Sequence, residues 1–487
     1  MTTRTVRDEA DALGAAGATP VPSPQRLDGL VRALASGLVE RQAQARCALL
    51  AVLCGEHLLL IGPPGTAKSA LARRLNALIG GRYFERLLTR FTVPEELFGP
   101  LSLEALDHGR YERAIDGYLP TATIAFLDEV FKANSAILNA LLTILNEREF
   151  DQGSVRLSVP LVALVGASNE IPVDESLRAF FDRFLFRCHV RPVSAAAFGA
   201  LLAEPGPSET APEALTMPEV RALQALAQRV VIPGDVLEAI AQLKDALGER
   251  GIEASDRRWV RIAHALRVSA ASRGRPEVDW IDLWLLSLLV PERAEDAEGV
   301  ERWLAERIAR YEPLEPERLA RVVEAFEGQL EVEAEATEFV MDESGKLALA
   351  RRMTGADEEQ LQDAAPRMSA FSRRRRYGRS HIGARLAQID RVLGEADVLS
   401  ERVGEQRAAL LDEARSHLWV DPSFVARLQA ALAESARRID GLRVRLAEVR
   451  QAFAMLPLAD DDDGTVPASV SHEPLDEAAC ENSAARR

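Results

Sequence analysis

The chain has 487 residues, 47 % of them hydrophobic and 28 % charged, enough for two or three globular domains with real cores. A formal net charge of −16 argues against nucleic acid as a default partner, because a phosphate backbone would repel most of such a surface. Cys47, Cys54, Cys188 and Cys480 are scattered without a C-x-x-C pair, and the histidines are dispersed, so neither a disulfide framework nor a zinc site is expected and a cytoplasmic location is.

Residues 1–24 are Ala/Thr/Pro-rich and carry acids where a secretion signal needs an apolar core, so they read as a disordered tail. No stretch approaches the roughly 20 apolar residues of a membrane span. From Leu27 the apolar positions Leu30, Val31, Leu34, Leu38, Ala45, Leu49 and Leu50 recur at helical spacing. "HLLLI" (57–61) predicts a buried strand, "GPPGTAKS" (62–69) a glycine loop, and "SALARRLNALIG" a helix.

That order is the context of a phosphate-binding loop, G-x-x-x-x-G-K-[ST], with Ala67 where the second glycine belongs. Backbone N–H groups from Gly62, Pro63, Pro64, Gly65, Thr66, Ala67 and Lys68 would surround the phosphates, with proline contributing shape rather than a donor. Lys68 supplies a charge to the β- and γ-phosphates and Ser69 a hydroxyl to Mg²⁺. Alanine at 67 is expected to cost little provided its φ stays negative.

A second apolar run, "ATIAFLDEV" (122–130), ends in Asp128 and Glu129, and a third, "LVALVGASNE" (161–170), ends in Asn169. Strands alternating with helices predict an α/β fold, a parallel sheet covered on both faces, whose ligands collect at the carboxyl ends. There Asp128 is the candidate Mg²⁺ ligand, Glu129 the general base for an attacking water and Asn169 the amide that orients it. Taken singly, the acids read as helix caps and the asparagine as a turn residue; their joint order favours chemistry. "EFDQGSVRLSV" reads as a hairpin turning at Gly153.

"SLRAFFDRFLFR" (176–187) offers an arginine that a neighbouring subunit's γ-phosphate can receive: Arg183, with Arg178 and Arg187 as rivals. The bland reading is a surface salt bridge. "EASDRRWVRIAHALR" (253–267) opens a helix with Arg257 and Arg258 in its first turns. Cations there oppose the helix dipole and call for an anion such as ATP, Arg257 being the better candidate.

The expected boundaries are an α/β core at 25–205, a Pro-rich linker at 203–216 and a helical segment at 217–292. A helical region with a coiled-coil hairpin follows at 293–458, then an acidic disordered tail at 459–487. The hairpin seam is Leu386, Ile389 and Leu393 on one side, and Leu432, Ser435, Ile439, Leu442, Leu446, Val449 and Phe453 on the other. The arginines 373–376 read as a solvated linker or a dock for an acidic surface.

In its order of elements the chain resembles AAA+ ATPases, with "GPPGTAKS" as Walker A and "IAFLDE" as Walker B. Asn169 then corresponds to sensor 1, Arg183 to the arginine finger and Arg257 to sensor 2. "TRFTVPEELFGPLSLEAL", "GRYERAIDGYLPTATIAFLDEVFKANSAILNALLTILNEREF" and "SNEIP" are similar to the MoxR branch and its RavA-type members, where alanine before the Walker A lysine is familiar. The resemblance covers residues 27 to about 290 and implies that 25–205 is an ATPase core with a helix-2 insert near 95–120 and that 217–292 is its helical lid. It implies ATP and Mg²⁺ as ligands, a homo-oligomer (a hexameric ring), action on a protein client, and a separate von Willebrand factor A domain partner. The β-rich partner-binding module of RavA-type proteins has no convincing strands here, so that partner is not expected. Alternative readings are a slow ATP-binding scaffold or switch, a magnesium-chelatase-like motor subunit, and a motor on nucleic acid.

Overall fold

The structure, a computed structural model, describes residues 21–172, 174–203, 213–309, 316–340, 371–462, 464–472 and 475. The expected tail at 1–20, the centre of the linker and the last twelve residues, with Cys480, lie outside the described residues. The chain divides into two compact units. One comprises residues up to Ala305 together with Glu413–Arg427, the other Glu306–Asp412 together with Leu428 onward.

The first unit opens with α1 (Pro24–Ala35), started by proline in its first turn and by Ser23, whose hydroxyl accepts the Arg26 N–H. Next come α2 (Gln42–Cys54), which ends in left-handed Gly55, β1 (His57–Ile61) and α3 (Lys68–Ile79). Further along lie β2 (Tyr83–Leu87), α4 (Pro94–Phe98), α5 (Leu103–Asp107), β3 (Ile124–Asp128) and α6 (Ser135–Glu147). Then follow β4 (Glu149–Gln152), β5 (Val155–Ser158), β6 (Ala163–Ser168), α7 (Glu175–Phe181), β7 (Phe184–His189) and α8 (Phe198–Leu202).

The sheet order is β2-β3-β6-β1-β7, all parallel. Residues of β1 and β6 are buried on both faces, which is why these strands read as unbroken apolar runs rather than alternating ones. One face packs Leu59, Ile61, Ala125, Leu127 and Leu164 against Ile137, Leu141 and Ile144 of α6. Buried His57 tethers this layer: its Nδ1 accepts the Leu164 N–H at 3.1 Å and its Nε2–H donates to Leu145 O at 3.2 Å.

β4 and β5 form an antiparallel hairpin turning at Gly153, whose φ is +63°. A Cβ at Gly153 would meet Tyr111 O at 2.3 Å, and Gln152 Nε2 donates to Arg113 O at 2.7 Å, so the hairpin and the segment after α5 are fitted to each other.

The lid consists of α9 (Met217–Ala227), α10 (Gly234–Gly248), α11 (Asp256–Ser272), α12 (Leu286–Leu289) and the start of α13 (Ala294–Ala309). α9 begins with a full capping box between Thr216 and Glu219. The turn at Glu413–Arg427 packs on this lid through Arg273 to Glu413, His417 to Asp282, and Trp419 Nε1 to Ser272 Oγ at 2.8 Å.

In the second unit α14 (Glu317–Glu335) leads to β8 (Thr337–Val340), which pairs antiparallel with β9 (Phe371–Arg374). This strand pair was not expected; two four-residue strands carry too little periodicity to be seen in sequence. α15 (Arg379–Ser416) and α16 (Pro422–Ala454) run antiparallel, cross-linked by Arg450 to Asp390, Arg443 to Asp397 and Arg407 to Ser435. On α15 the buried stripe is Ile382, Ile389, Val392, Ala396 and Val403, with Leu386 and Leu393 only half-buried. Residues 459–462 and 464–472, assigned above to a disordered tail, lie back on α15 and the segment before it: Asp460 pairs with Arg376, Asp462 accepts from Ser380, and Ala468 O accepts from Arg385. The acidic run is thus partly neutralised by the basic residues near it.

Candidate nucleotide site

The loop after β1 is folded to surround an anion. A Cβ on Gly62 would meet Val190 O at 2.0 Å, so only glycine lets the chain pass β7 there. Gly65 has a φ of +77°. Thr66 Oγ1 donates to Pro63 O at 2.9 Å and holds the arch. Lys68 Nζ reaches back across the loop to Gly62 O at 2.6 Å and Pro63 O at 2.9 Å. Burial pulls the Lys68 ammonium below its ordinary pKa while Asp128 and Glu129 oppose the shift, so all three charges share one neighbourhood.

Ala67 departs from expectation. Its φ is +67°, in the left-handed region, and it caps α3 there. The loop keeps the glycine conformation with an alanine in it, at a cost of about 1 kcal/mol. The missing glycine therefore changes the strain, not the path of the chain.

β3 and β6 end beside this loop. Asp128 Oδ1 accepts the Glu129 N–H at 3.0 Å, and Glu129 itself has a φ of +52°. Asn169 Nδ2 donates to Glu129 Oε1 at 2.5 Å, and Lys132 Nζ lies 3.2 Å from the same oxygen. Lys68, Ser69, Asp128, Glu129 and Asn169 thus gather at the carboxyl edge of the sheet. Ser69 and Asp128 are both half-buried, which suits a hydroxyl and a carboxylate holding a hydrated divalent cation whose remaining ligands are phosphate and water.

Sequence reading missed two residues here. Lys132 sits on Glu129, and Arg41, 5 % exposed, braces the loop. Arg41 Nε donates to Thr66 O at 3.0 Å, and its Nη atoms donate to Glu40 O and Arg191 O at 2.8 Å each. Neither carries a motif; only the fold brings Arg41 to Arg191.

The arginines lie elsewhere. Arg183 immediately precedes Phe184, which pairs with His57 at the start of β1, whereas the loop follows the end of β1. The two are at opposite edges of the sheet, about 15 Å apart at roughly 3.3 Å per residue. Arg257 is at that far edge too, its Nη2 donating to Asn146 Oδ1 at 3.4 Å, and its charge together with burial depresses the Arg183 pKa. Neither arginine is brought to the loop of its own chain. Arg258 is buried and bonded to Leu289, Phe184 and Leu185 carbonyls. Arg187 stacks on Phe181 with 3.9 Å from its guanidinium carbon to the ring centre, and Arg178 reaches Glu292. Arg258 and Arg187 are committed within the fold, whereas Arg178 stays exposed in a surface pair.

A five-stranded parallel sheet with a glycine loop after its first strand, acids after the third, and an all-helical lid defines an AAA+ ATPase fold. Residues 25–228 match the family model of the MoxR domain in the MoxR-vWA-beta-propeller ternary systems, and residues 235–304 that of the AAA lid domain. MJ0079 and MJ0812 of Methanocaldococcus jannaschii are each 42 % identical to the chain, over 262 and 261 residues; the matches cover 54 % and 53 % of it and 69 % and 70 % of those proteins. The chaperone MoxR1 of Mycobacterium tuberculosis is 29 % identical over 160 residues, 31 % of the chain and 39 % of that protein. The chain belongs to the MoxR family of AAA+ ATPases. Among the described residues no helix is long and apolar enough to cross a membrane.

Proposed function

We propose that the chain hydrolyses ATP at a site shared between copies of itself, as a hexameric ring, and couples turnover to remodelling or maturation of a protein complex. One observation carries this reading: Lys68, Asp128, Glu129 and Asn169 meet at one edge of the sheet while Arg183 and Arg257 stand together at the other. One copy holds the two halves of a site at opposite edges of its sheet, and only a second copy can unite them.

In this reading Gly62–Ser69 hold the phosphates and Lys68 leaves its loop carbonyls for the β- and γ-oxygens. Ser69 and Asp128 hold Mg²⁺, which when bound neutralises charge developing on the phosphate oxygens. Glu129 takes the proton of the attacking water, Asn169 orients that water, and Arg183 with Arg257 face the neighbour's γ-phosphate.

Exposed Leu103, Tyr111 and Val155, with Phe91 just before the insert, support contact with a protein client through the insert and the hairpin. The family description supports a von Willebrand factor A domain protein and a β-propeller protein as partners. The strand pair between α14 and α15 supports a RavA-type layout without naming that group's partner. A cytoplasmic location belongs to the same proposal. The grip of Asn169 and Lys132 on Glu129 favours a second reading, a slow switch that binds ATP and rarely turns over.

Steady-state hydrolysis by the wild type, Lys68→Ala and Glu129→Gln tests the proposal. Loss in both variants is expected, and equal rates in all three would overturn it. Tight nucleotide binding without turnover in the wild type would select the switch.

A further inference from the structure

Arg183 is held by an arginine lattice that the lid provides. Arg258, 3 % exposed, donates to Phe184 O at 3.2 Å, Leu185 O at 2.8 Å and Leu289 O at 2.7 Å, and pairs with Asp182 at 3.3 Å. Arg261 Nη1 donates to the Arg183 carbonyl at 3.4 Å, while its Nε donates to Glu56 Oε1 at 2.9 Å. Arg187, under Phe181, also reaches Asp182, at 3.6 Å. The Asp182 carboxylate and the carbonyls of Arg183, Phe184 and Leu185 are therefore all bonded by Arg258 and Arg261 of α11.

Charge divides unevenly in this lattice. Asp182 is taken up by Arg258 and Arg187, and Glu56 by Arg261. Arg183 and Arg257 are left side by side with no carboxylate within ion-pair distance among the described residues, and Arg183 Nε is buried without a hydrogen-bond partner. Asp182 offsets part of the charge on Arg183, but it is shared with Arg258 and Arg187, so this corner keeps an excess of guanidinium charge that suits an anion from outside the chain.

We infer that Arg258 and the Arg261–Glu56 pair are positioning residues, which fix Arg183 beside Arg257 so that the lid and the sheet edge present both guanidiniums as one rigid unit to the triphosphate on a neighbouring copy. This rests on the shared-site reading above. A guanidinium aimed at a transferring phosphoryl group works only when held in place. Arg183 follows a seven-residue helix, and its N–H donates to Phe180 O at 3.1 Å, a local tie that does not reach the lid. The lattice supplies the anchor, and it ties that anchor to the lid.

The test uses mixed assemblies of the full chain. Glu56→Gln, Arg261→Gln and Arg258→Lys each lower turnover, by about tenfold or more, with KM and fluorescent-ADP affinity within about twofold of wild type, because the loop at the other edge is untouched. Lys68→Ala subunits have no working loop but an intact lattice. Mixed with any lattice variant they restore hydrolysis above the sum of the separate preparations, because the variant's loop then faces an intact neighbour. Arg183→Ala mixed with Lys68→Ala is the reference. If that pair does not complement, the shared-site reading fails. If it complements while the lattice variants do not, or if those variants lose ADP affinity with their turnover, the positioning inference alone is overturned. Glu56→Gln preserves shape and keeps the test alive should Arg258→Lys fail to fold. Arg261→Lys, which retains the charge, recovers part of the turnover lost in Arg261→Gln.

Discussion

The side-chain amide of Asn169 donates to Glu129 Oε1 at 2.5 Å, joining the ends of β6 and β3 across the mouth of the glycine loop. Glu129 is thus held in place with one oxygen engaged and its backbone left-handed at a φ of +52°. Glu129→Gln keeps the shape and removes the base. We expect turnover to fall by about 10² to 10⁴ with nucleotide affinity kept or raised. Asn169→Ala leaves the carboxylate to Lys132 alone and loses the amide, so turnover falls by less than in Glu129→Gln. Parallel hydrolysis and binding titrations check both, and a Glu129→Gln protein that turns over normally would remove Glu129 from the site.

Ala67 makes a prediction independent of function. A non-glycine residue at a φ of +67° is strained by about 1 kcal/mol, part of which returns as greater unfolded-chain freedom when glycine replaces it. Ala67→Gly should raise the melting temperature of the apo protein by about 2 °C and leave nucleotide affinity within about twofold. Ala67→Val should do the reverse, since β-branching worsens left-handed backbone. A lower melting point for Ala67→Gly would mean that the strain is not there.

The loop, the acids at strand ends and the lid helices were legible because each is written in contiguous residues: an apolar run, then polar punctuation. The sign of the Ala67 φ was not, because nothing local decides it; the path is imposed by Val190 against Gly62 and by Lys68 turning back on Gly62 and Pro63. Arg41 was invisible for a related reason, its partner Arg191 being 150 residues away. Arg258 read as a nucleotide candidate from its place in a first helical turn, yet its hydrogen bond to Leu185 spans 73 residues and buries it. Single sequences report what is periodic or adjacent; they do not report which of several arginines the fold will use up.

Arg41 carries a third prediction. Arg41→Ala removes three hydrogen bonds to backbone carbonyls of three loops and leaves the buried Thr66 oxygen without this donor. Because one of them is Thr66 O inside the glycine loop, nucleotide affinity should weaken by about tenfold or more, against a Lys68→Ala control that abolishes binding. Lysine at 41 cannot span three acceptors with one ammonium and should not rescue. Unchanged affinity in Arg41→Ala would show that the loop holds its shape without the brace.

The lid makes a prediction about pH. His417 is fully buried; Trp419 N–H donates to its Nδ1 at 3.2 Å, so its Nε2–H donates to Asp282 Oδ1 at 3.1 Å and the ring is neutral. Burial pushes its pKa below 6.5, outweighing the pull of Asp282, with Arg273 adding to the depression and Asp279 opposing it. Asp282 stays ionised: burial raises its pKa, but the His417 and Ser269 hydrogen bonds and the Arg273 charge together lower it further. The unfolded chain therefore takes up a proton at His417 as pH falls through about 6.5 while the folded chain does not, and stability declines below that pH. The slope is at most about 1.4 kcal/mol per pH unit for each such histidine, and buried His57, also depressed by burial, adds its own share. Urea midpoints at pH 7.5, 6.5 and 5.5 should fall in the wild type, and the fall should be shallower in His417→Gln, which has lower stability throughout but one proton fewer to bind on unfolding. Equal pH slopes in the two proteins would mean that His417 has the same pKa in the folded and unfolded chain, and a shallower fall in the wild type than in His417→Gln would mean that it is protonated in the folded lid, ion-paired to Asp282.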